Sequence, residues 1–317
     1  MNPKRTRIVF IAGYGRSGST LLGQMLGRVP GAVFVGELRD IWARGVIDNE
    51  PCGCGQEFRR CEFWNAVMQR AFGGLAGLDA VQMLADQGTI DKNRNIPMLV
   101  LLDRVPGDFA AAKRPREYVR AMAQLNRAII ETAGARLIID SSKDPSTLCT
   151  LARAPELELN VIHLLRDSRA VAHSWARRKK QFDTGGQVKF MPQYSALQSA
   201  LEWDWFNGWC SALKFLGHRR MRYVSLRYED YVREPRSLLQ RTSAALGLEI
   251  PDSDFDFIGA DGSAELGQNH AISGNLSRFA IGKIRLKPDD EWRSAMSAAR
   301  ARWIKVLTLP LMLGYGY

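Results

Sequence analysis

Residues 13–20, Gly-Tyr-Gly-Arg-Ser-Gly-Ser-Thr, combine types and spacing that can hold an anion. Gly13 and Gly18 bracket a loop whose backbone N–H groups can wrap a phosphate, with the positive end of a following helix behind them. Against the pattern G-x-x-x-x-G-K-[ST], Gly13, Gly18 and Thr20 fit, but Ser19 stands at the lysine position. A nucleoside triphosphatase uses that lysine on the β- and γ-phosphates and holds Mg²⁺ with the next hydroxyl. Arg16 instead offers a planar fork and calls for no metal. Gly15, Arg16, Ser17, Gly18, Ser19 and Thr20 are therefore candidate anion binders in chemistry other than triphosphate hydrolysis.

A second candidate lies in residues 160–180. An apolar run ends at Arg166-Asp167, and a helical pattern carrying Val171, Ser174, Trp175 and Arg178 follows. Ser174 lies eight residues beyond Arg166, about two helical turns, so a strand end and a helix face can converge on a second phosphate. The spacing puts Arg178 one turn further along the same face as Ser174.

The elements that must position these groups read as an α/β fold. Short Ile/Val/Phe/Leu runs predict buried parallel strands at 7–12, 32–35, 136–140, 159–166 and 221–226, with helices between most of them. That alternation predicts a three-layer α/β/α arrangement around a central parallel sheet of about five strands. Gly13, Glu37, Lys143, Arg166 and Tyr228 all follow strand ends, so one edge of one sheet collects them. Glu37 alone reads as a carboxylate favoured by a helix N-terminus, and Lys143 alone as a solvated lysine. Asp140, Ser141 and Ser142 suggest helix capping before Pro145.

Taken together, GYGRSGSTLL and LLRDSRAVAHS resemble the two cofactor signatures of sulfotransferases that use 3′-phosphoadenosine 5′-phosphosulfate (PAPS). The resemblance extends over most of the chain and favours the bacterial, carbohydrate and tyrosylprotein branches. It implies a P-loop-type fold in which the first loop holds the 5′-phosphosulfate and Arg166 with Ser174 holds the 3′-phosphate. It also implies Glu37, in VGELRDIW, as catalytic base and Lys143, in IIDSSKDP, beside the transferred group. SLRYEDYVREP, with Tyr228, and HAISGNLSRF, with Gly274, Asn275 and Arg278, resemble further cofactor-side segments; Leu276 and Ser277 depart from the glycan-branch pattern. The implied reaction is in-line sulfuryl transfer from PAPS to a hydroxyl or amine, releasing PAP. Arg16, Lys143 and the loop amides would stabilise the leaving oxygen, and Glu37 would take the acceptor's proton. The transferred group carries one charge, so no catalytic metal is expected.

Other residues have plainer expectations. His163 sits inside an apolar strand and reads as a core histidine. His173 points away from Ser174 on its helix, and His270 opens the loop that reaches cofactor or acceptor. Trp203, Trp205 and Trp209 fall in a helical stretch where aromatics are usually core, and only Trp205 and Trp209 share a face. Cys52, Cys54 and Cys61 form a local cluster. The total of five cysteines argues against a complete disulfide framework, and three ligands do not close a zinc site, which favours one bridge or free thiols.

With 317 residues, 46% of them hydrophobic, and no linker, repeat or low-complexity tract, the chain reads as one domain spanning 1–317. Residues 45–114 read as a helical, Cys-containing insertion over the acceptor side, and 182–193, with Gly185 and Gly186, as a lid. A net charge of +11 suits an anionic cofactor. The run Arg177 to Lys180 is short, lacks interleaved aromatics and continues the helix of the second anion site, which argues against a nucleic-acid interface. No apolar span is long enough to cross a membrane, the basic start is too short a signal, and the apolar tail 306–317 is expected to pack on the fold. The expectation is a bacterial-type cytoplasmic sulfotransferase acting on a small-molecule, lipid or glycan acceptor, with homo-oligomerisation left open. A P-loop kinase or NTPase with an atypical loop, and a basic nucleic-acid-binding module, are the rival readings.

Overall fold

The computed structural model describes residues 5–102, 113–178, 180–181, 189–216 and 221–317. Its strands are β1 (Thr6–Ala12), β2 (Ala32–Gly36), β3 (Leu137–Lys143), β4 (Leu157–Leu165), β5 (Lys180–Gln181), β6 (Lys189–Phe190), β7 (Arg222–Arg227), β8 (Ser263–Leu266) and β9 (Gly282–Arg285). The helices are α1 (Ser19–Leu26), α2 (Glu62–Phe72), α3 (Ala80–Ile90), α4 (Ile96–Leu102), α5 (Lys113–Ala133), α6 (Pro145–Leu151), α7 (Ser168–Ala176), α8 (Ala196–Leu216), α9 (Tyr228–Arg233), α10 (Pro235–Ala245), α11 (Trp292–Ala295) and α12 (Ala298–Gly314).

Each of the five expected strands forms, and they make one parallel sheet in the order β2-β3-β1-β4-β7. Alternation along β1 divides the core into two layers. Ile8 and Phe10 pack with Leu148 of α6 and Cys210 of α8 on one face, whereas Val9 and Ile11 pack with Leu22 of α1 and Leu239 of α10 on the other. Ile8, Phe10 and Ile11 have no exposed surface, and burial of each stabilises the fold by about 1.5–3 kcal/mol. Because the chain leaves β1 toward β2 and β3 on one side and then passes from β3 to β4 on the other, a crevice opens at the C-terminal end of the sheet beside β1.

Residues 45–102 supply α2, α3, α4 and a large share of the first core layer, including Phe58, Trp64 and Ile96. No described residue of 45–114 lines the crevice; the segment reaches it indirectly, through Asp91. The tail packs as expected: Ile304, Thr308 and Met312 of α12 are buried, and α12 lies against α7 and α8. No helix among the described residues is long and apolar enough to cross a membrane.

Three local expectations are corrected. α7 stops at Ala176 because Arg177 turns extended (φ −82°, ψ 134°), so the basic run does not continue the helix. Asp144, not Asp140 to Ser142, caps α6, accepting from the Ser146 amide at 2.9 Å. Of Trp203, Trp205 and Trp209 only Trp203 is fully buried; Trp205 is 48% exposed. Gly185 and Gly186 lie outside the described residues.

His163 is the core histidine its surroundings implied, with Nε2 3.0 Å from Asn207 Oδ1. Burial pushes its pKa down to about 4. A depressed imidazole contributes stability above its unfolded pKa that is lost as pH falls through the folded one. Between about pH 6.5 and 4 that loss is on the order of 3 kcal/mol. Asp140, pushed up to about 6 by burial, acts in the opposite direction over an overlapping range. Comparing wild type with His163→Gln cancels the Asp140 contribution. The stability difference measured by urea unfolding should shrink by about that amount from pH 7 to 4; parallel pH curves would show that His163 is not the group responsible.

Candidate active site

The β1–α1 loop takes positive φ three times, at Gly13 (136°), Arg16 (68°) and Gly18 (89°). Only glycine fits at Gly18, where a Cβ would lie 2.6 Å from the Tyr228 ring. Positive φ recurs at Lys143 (70°) and Ser273 (59°), and Arg16, Lys143 and Ser273 all line one cleft of about 650 Å³ at the sheet's C-terminal edge. Such conformations cost on the order of 1–3 kcal/mol each and persist where the surrounding structure imposes them.

Both anion elements open into this cleft. Gly15, Arg16, Gly18, Ser19 and Thr20 form one wall, while Ser17 is buried behind it. Arg16 Nε donates to Ser174 Oγ at 3.2 Å, and Arg166 Nη1 donates to the Arg16 carbonyl at 2.8 Å. Arg166 also stacks on Tyr228 at 4.5 Å and pairs with Asp289 at 3.0 Å. Its backbone is fixed by Trp203, whose indole N–H donates to the Arg166 carbonyl at 3.0 Å.

The electrostatics favour an anion here. Burial, then the neighbouring Arg166 and Arg177 charges, lower the Arg16 pKa. Arg166 Nε and Trp175 Nε1 are buried with no hydrogen-bond partner among the described residues. Unpaired buried donors beside two close guanidiniums fit a phosphorylated ligand, whose oxygens would satisfy the donors and offset the repulsion.

Glu37 follows β2 and forms an ion pair with Lys143 at the end of β3. The Glu37 amide donates to the Ile272 carbonyl at 2.8 Å, so a loop distant in sequence sets its place. A Cβ on Gly274 would lie 3.2 Å from Glu37 Oε1 and 3.4 Å from Thr20 Oγ1, which brings Glu37, the phosphate loop and the Gly274 loop to one point. Asp140 ties β3 to the same corner, accepting from the Ser142 amide at 2.8 Å and the Leu38 amide at 3.4 Å.

Of the candidate residues, Gly15, Arg16, Gly18, Ser19, Thr20, Glu37, Lys143, Arg166, Ser174, Tyr228, Gly274 and Asn275 line the cleft. Besides the buried Ser17, three others do not. Arg178, beyond the end of α7, is exposed and stacks over Phe190 at 3.6 Å. Arg278 is buried with its guanidinium on the Gly274 (3.1 Å) and Pro51 (3.3 Å) carbonyls, so it braces the loop from behind. His270 stacks on Phe63 at 4.4 Å with Nδ1 3.4 Å from Cys61 Sγ, away from the cleft. It supplies the fourth group that the cysteine cluster seemed to lack.

The cleft also holds residues not singled out from the sequence. Tyr14, Trp175, Tyr194 and Phe206 form an aromatic side, with Tyr14 donating to Glu202 at 2.8 Å. Opposite stands Arg39, anchored at 3.3 Å to Asp91 at the end of α3. Trp175 adjoins Ser174 and Arg39 follows Glu37 by two, so proximity to motif residues was the available signal. A second hollow of about 650 Å³, between α10 and the β8–β9 hairpin, contains none of the candidate residues.

A glycine loop joining β1 to α1 at the edge of a parallel sheet places the chain in the P-loop-type α/β class. Within that class it belongs to the sulfotransferase family, whose profile matches residues 9–252. No curated protein matches the chain significantly. Among solved structures it is similar to the sulfotransferase domain of the Synechococcus PCC 7002 olefin synthase, at 20% identity over 100% of this chain and 97% of that one (TM-score 0.50). It is also similar to the sulfotransferase domain of the curacin biosynthetic pathway, at 17% identity over 95% and 96% of the two chains (TM-score 0.47). A retinol dehydratase solved with retinol and PAP matches at 14% identity over 98% and 82% (TM-score 0.42).

Proposed function

We propose that the chain, acting as one domain, transfers a sulfuryl group from PAPS to a hydroxyl or amine of an acceptor. The observation that carries this reading is the direct contact of the two anion elements, Arg16 with Ser174 at 3.2 Å and Arg166 with the Arg16 backbone at 2.8 Å. Two anion pockets in one cleft suit a donor phosphorylated at both ends of one nucleoside. The donor supplies an activated sulfuryl group. The loop amides and Arg16 hold its 5′ end, and Arg166, Ser174 and Trp175 hold its 3′-phosphate.

Glu37 takes the proton as the acceptor's oxygen or nitrogen bonds to sulfur and the bond from sulfur to the bridging oxygen breaks. Lys143, paired with Glu37 before reaction, and Arg16 stabilise the charge arriving on that oxygen. The aromatic side of the cleft and Arg39 face the acceptor, which suits a small molecule, lipid or glycan with an apolar portion. Calorimetry with PAP and with ATP, each with and without Mg²⁺, tests the donor assignment, and labelled PAPS with an acceptor panel tests transfer. PAP should bind one to one, and ATP far more weakly. Silence with PAP together with Mg²⁺-dependent ATP binding would overturn the reading.

A further inference from the structure

Away from the cleft, the sulfurs of Cys52, Cys54 and Cys61 and a ring nitrogen of His270 lie within 4.8 Å of one another. Cys61 Sγ is 3.7 Å from both Cys52 Sγ and Cys54 Sγ. His270 Nδ1 is 3.6 Å from Cys52 Sγ and 3.4 Å from Cys61 Sγ. All three cysteines are unbridged, and these separations are far beyond the roughly 2.0 Å of a disulfide. They do match a tetrahedral metal site, for which a closed set of three thiolates and one imidazole favours zinc. Tetrahedral zinc, with Zn–S near 2.3 Å and Zn–N near 2.0–2.1 Å, sets its sulfurs about 3.8 Å apart and its sulfur–nitrogen pairs about 3.6 Å apart. We propose that Cys52, Cys54, Cys61 and His270 bind a single structural zinc ion.

The surrounding chain holds the four groups in place. A tight turn presents the first two sulfurs: the Cys52 amide donates to the Gln56 carbonyl and the Gly55 amide to the Cys52 carbonyl, each at 2.8 Å. Gly53 packs flat on the segment that carries the histidine, donating to the Ala271 carbonyl at 2.9 Å; a Cβ there would lie 2.0 Å from Asn269 Oδ1. Phe63 stacks on the His270 ring at an interplanar angle of 15°, and the Trp64 indole donates to the His270 carbonyl at 3.0 Å. These contacts fix the ring plane and the backbone of His270 so that Nδ1 faces the sulfurs. With four protein ligands the site has no open position, which marks it as structural.

Its purpose follows from what it joins. His270 begins the segment whose Ile272 positions Glu37 and whose Ser273, Gly274 and Asn275 line the cleft, while the cysteines belong to the turn preceding α2. Zinc would weld these two segments, releasing thiol protons on binding. The reaction itself needs nothing from it, so the zinc assignment and the donor assignment fail separately.

The test uses the full chain, purified under reducing conditions from zinc-supplemented cells and exchanged into metal-free buffer. Elemental analysis should find about one zinc per chain. Replacement by cobalt should give thiolate-to-metal charge-transfer absorption and the visible bands of tetrahedral Co²⁺. Cys61→Ser should lose the zinc and unfold at lower temperature. If it fails to fold, Cys54→Ser at the half-buried corner should bind zinc at least tenfold more weakly in a chelator competition. Wild-type protein with only trace zinc and no cobalt–thiolate absorption would overturn the proposal. So would stoichiometric iron, or a Cys–Cys bridge found by mass spectrometry after thiol blocking.

Discussion

Glu37→Gln is expected to bind PAP about as tightly as the wild type and to transfer sulfuryl roughly 10²–10⁴-fold more slowly. The amide keeps the size of the side chain and its half-buried position after β2 but cannot accept the acceptor's proton. It also dissolves the ion pair with Lys143, leaving that ammonium without its carboxylate partner. The lysine sits near the leaving oxygen in the proposed reaction, so its release does not weaken donor binding. Single-turnover kinetics with labelled PAPS, beside calorimetry with PAP, separate the two effects. Unchanged turnover would remove Glu37 as the base.

Arg166→Ala is expected to weaken PAP binding by roughly 10- to 100-fold, the equivalent of losing one charge-assisted contact worth about 1.5–3 kcal/mol. The substitution strips the stacking partner from Tyr228 and the donor from the Arg16 carbonyl, so the phosphate loop loses a brace as well as a charge. Arg166→Lys separates those losses: it retains charge but not the fork, and should fall between wild type and alanine. Calorimetry of the three proteins with PAP checks the order. An alanine variant with wild-type affinity would place the 3′-phosphate elsewhere.

The sheet was legible because buried parallel strands are written as continuous apolar runs, and those ending at Ala12 and Leu165 needed no tertiary information. Arg16 and Arg166 were legible from the glycine loop and the strand-end spacing, Glu37 and Lys143 through the family resemblance, and all four meet because strand ends of one parallel sheet share an edge. The misplaced residues lie where that logic stops. Arg178 fails because nothing apolar after Ala176 holds the last turn on the sheet, and extended backbone follows. Arg278 sits in a recognisable segment, but a 3₁₀ turn after Asn275 directs it inward to carbonyls. His270 was unreadable for a different reason: it meets Cys61 across 209 residues, and no local pattern encodes such a meeting.

The left-handed residues of the cleft have an evolutionary corollary. Arg16, Lys143 and Ser273 occupy conformations that glycine would relax, yet each presents a side chain to the site. Selection for heat resistance alone would push these positions toward glycine, and every such step would firm the scaffold while erasing part of its chemistry. Engineers raising the melting temperature of this chain by consensus or computed substitutions should therefore shield those three positions first.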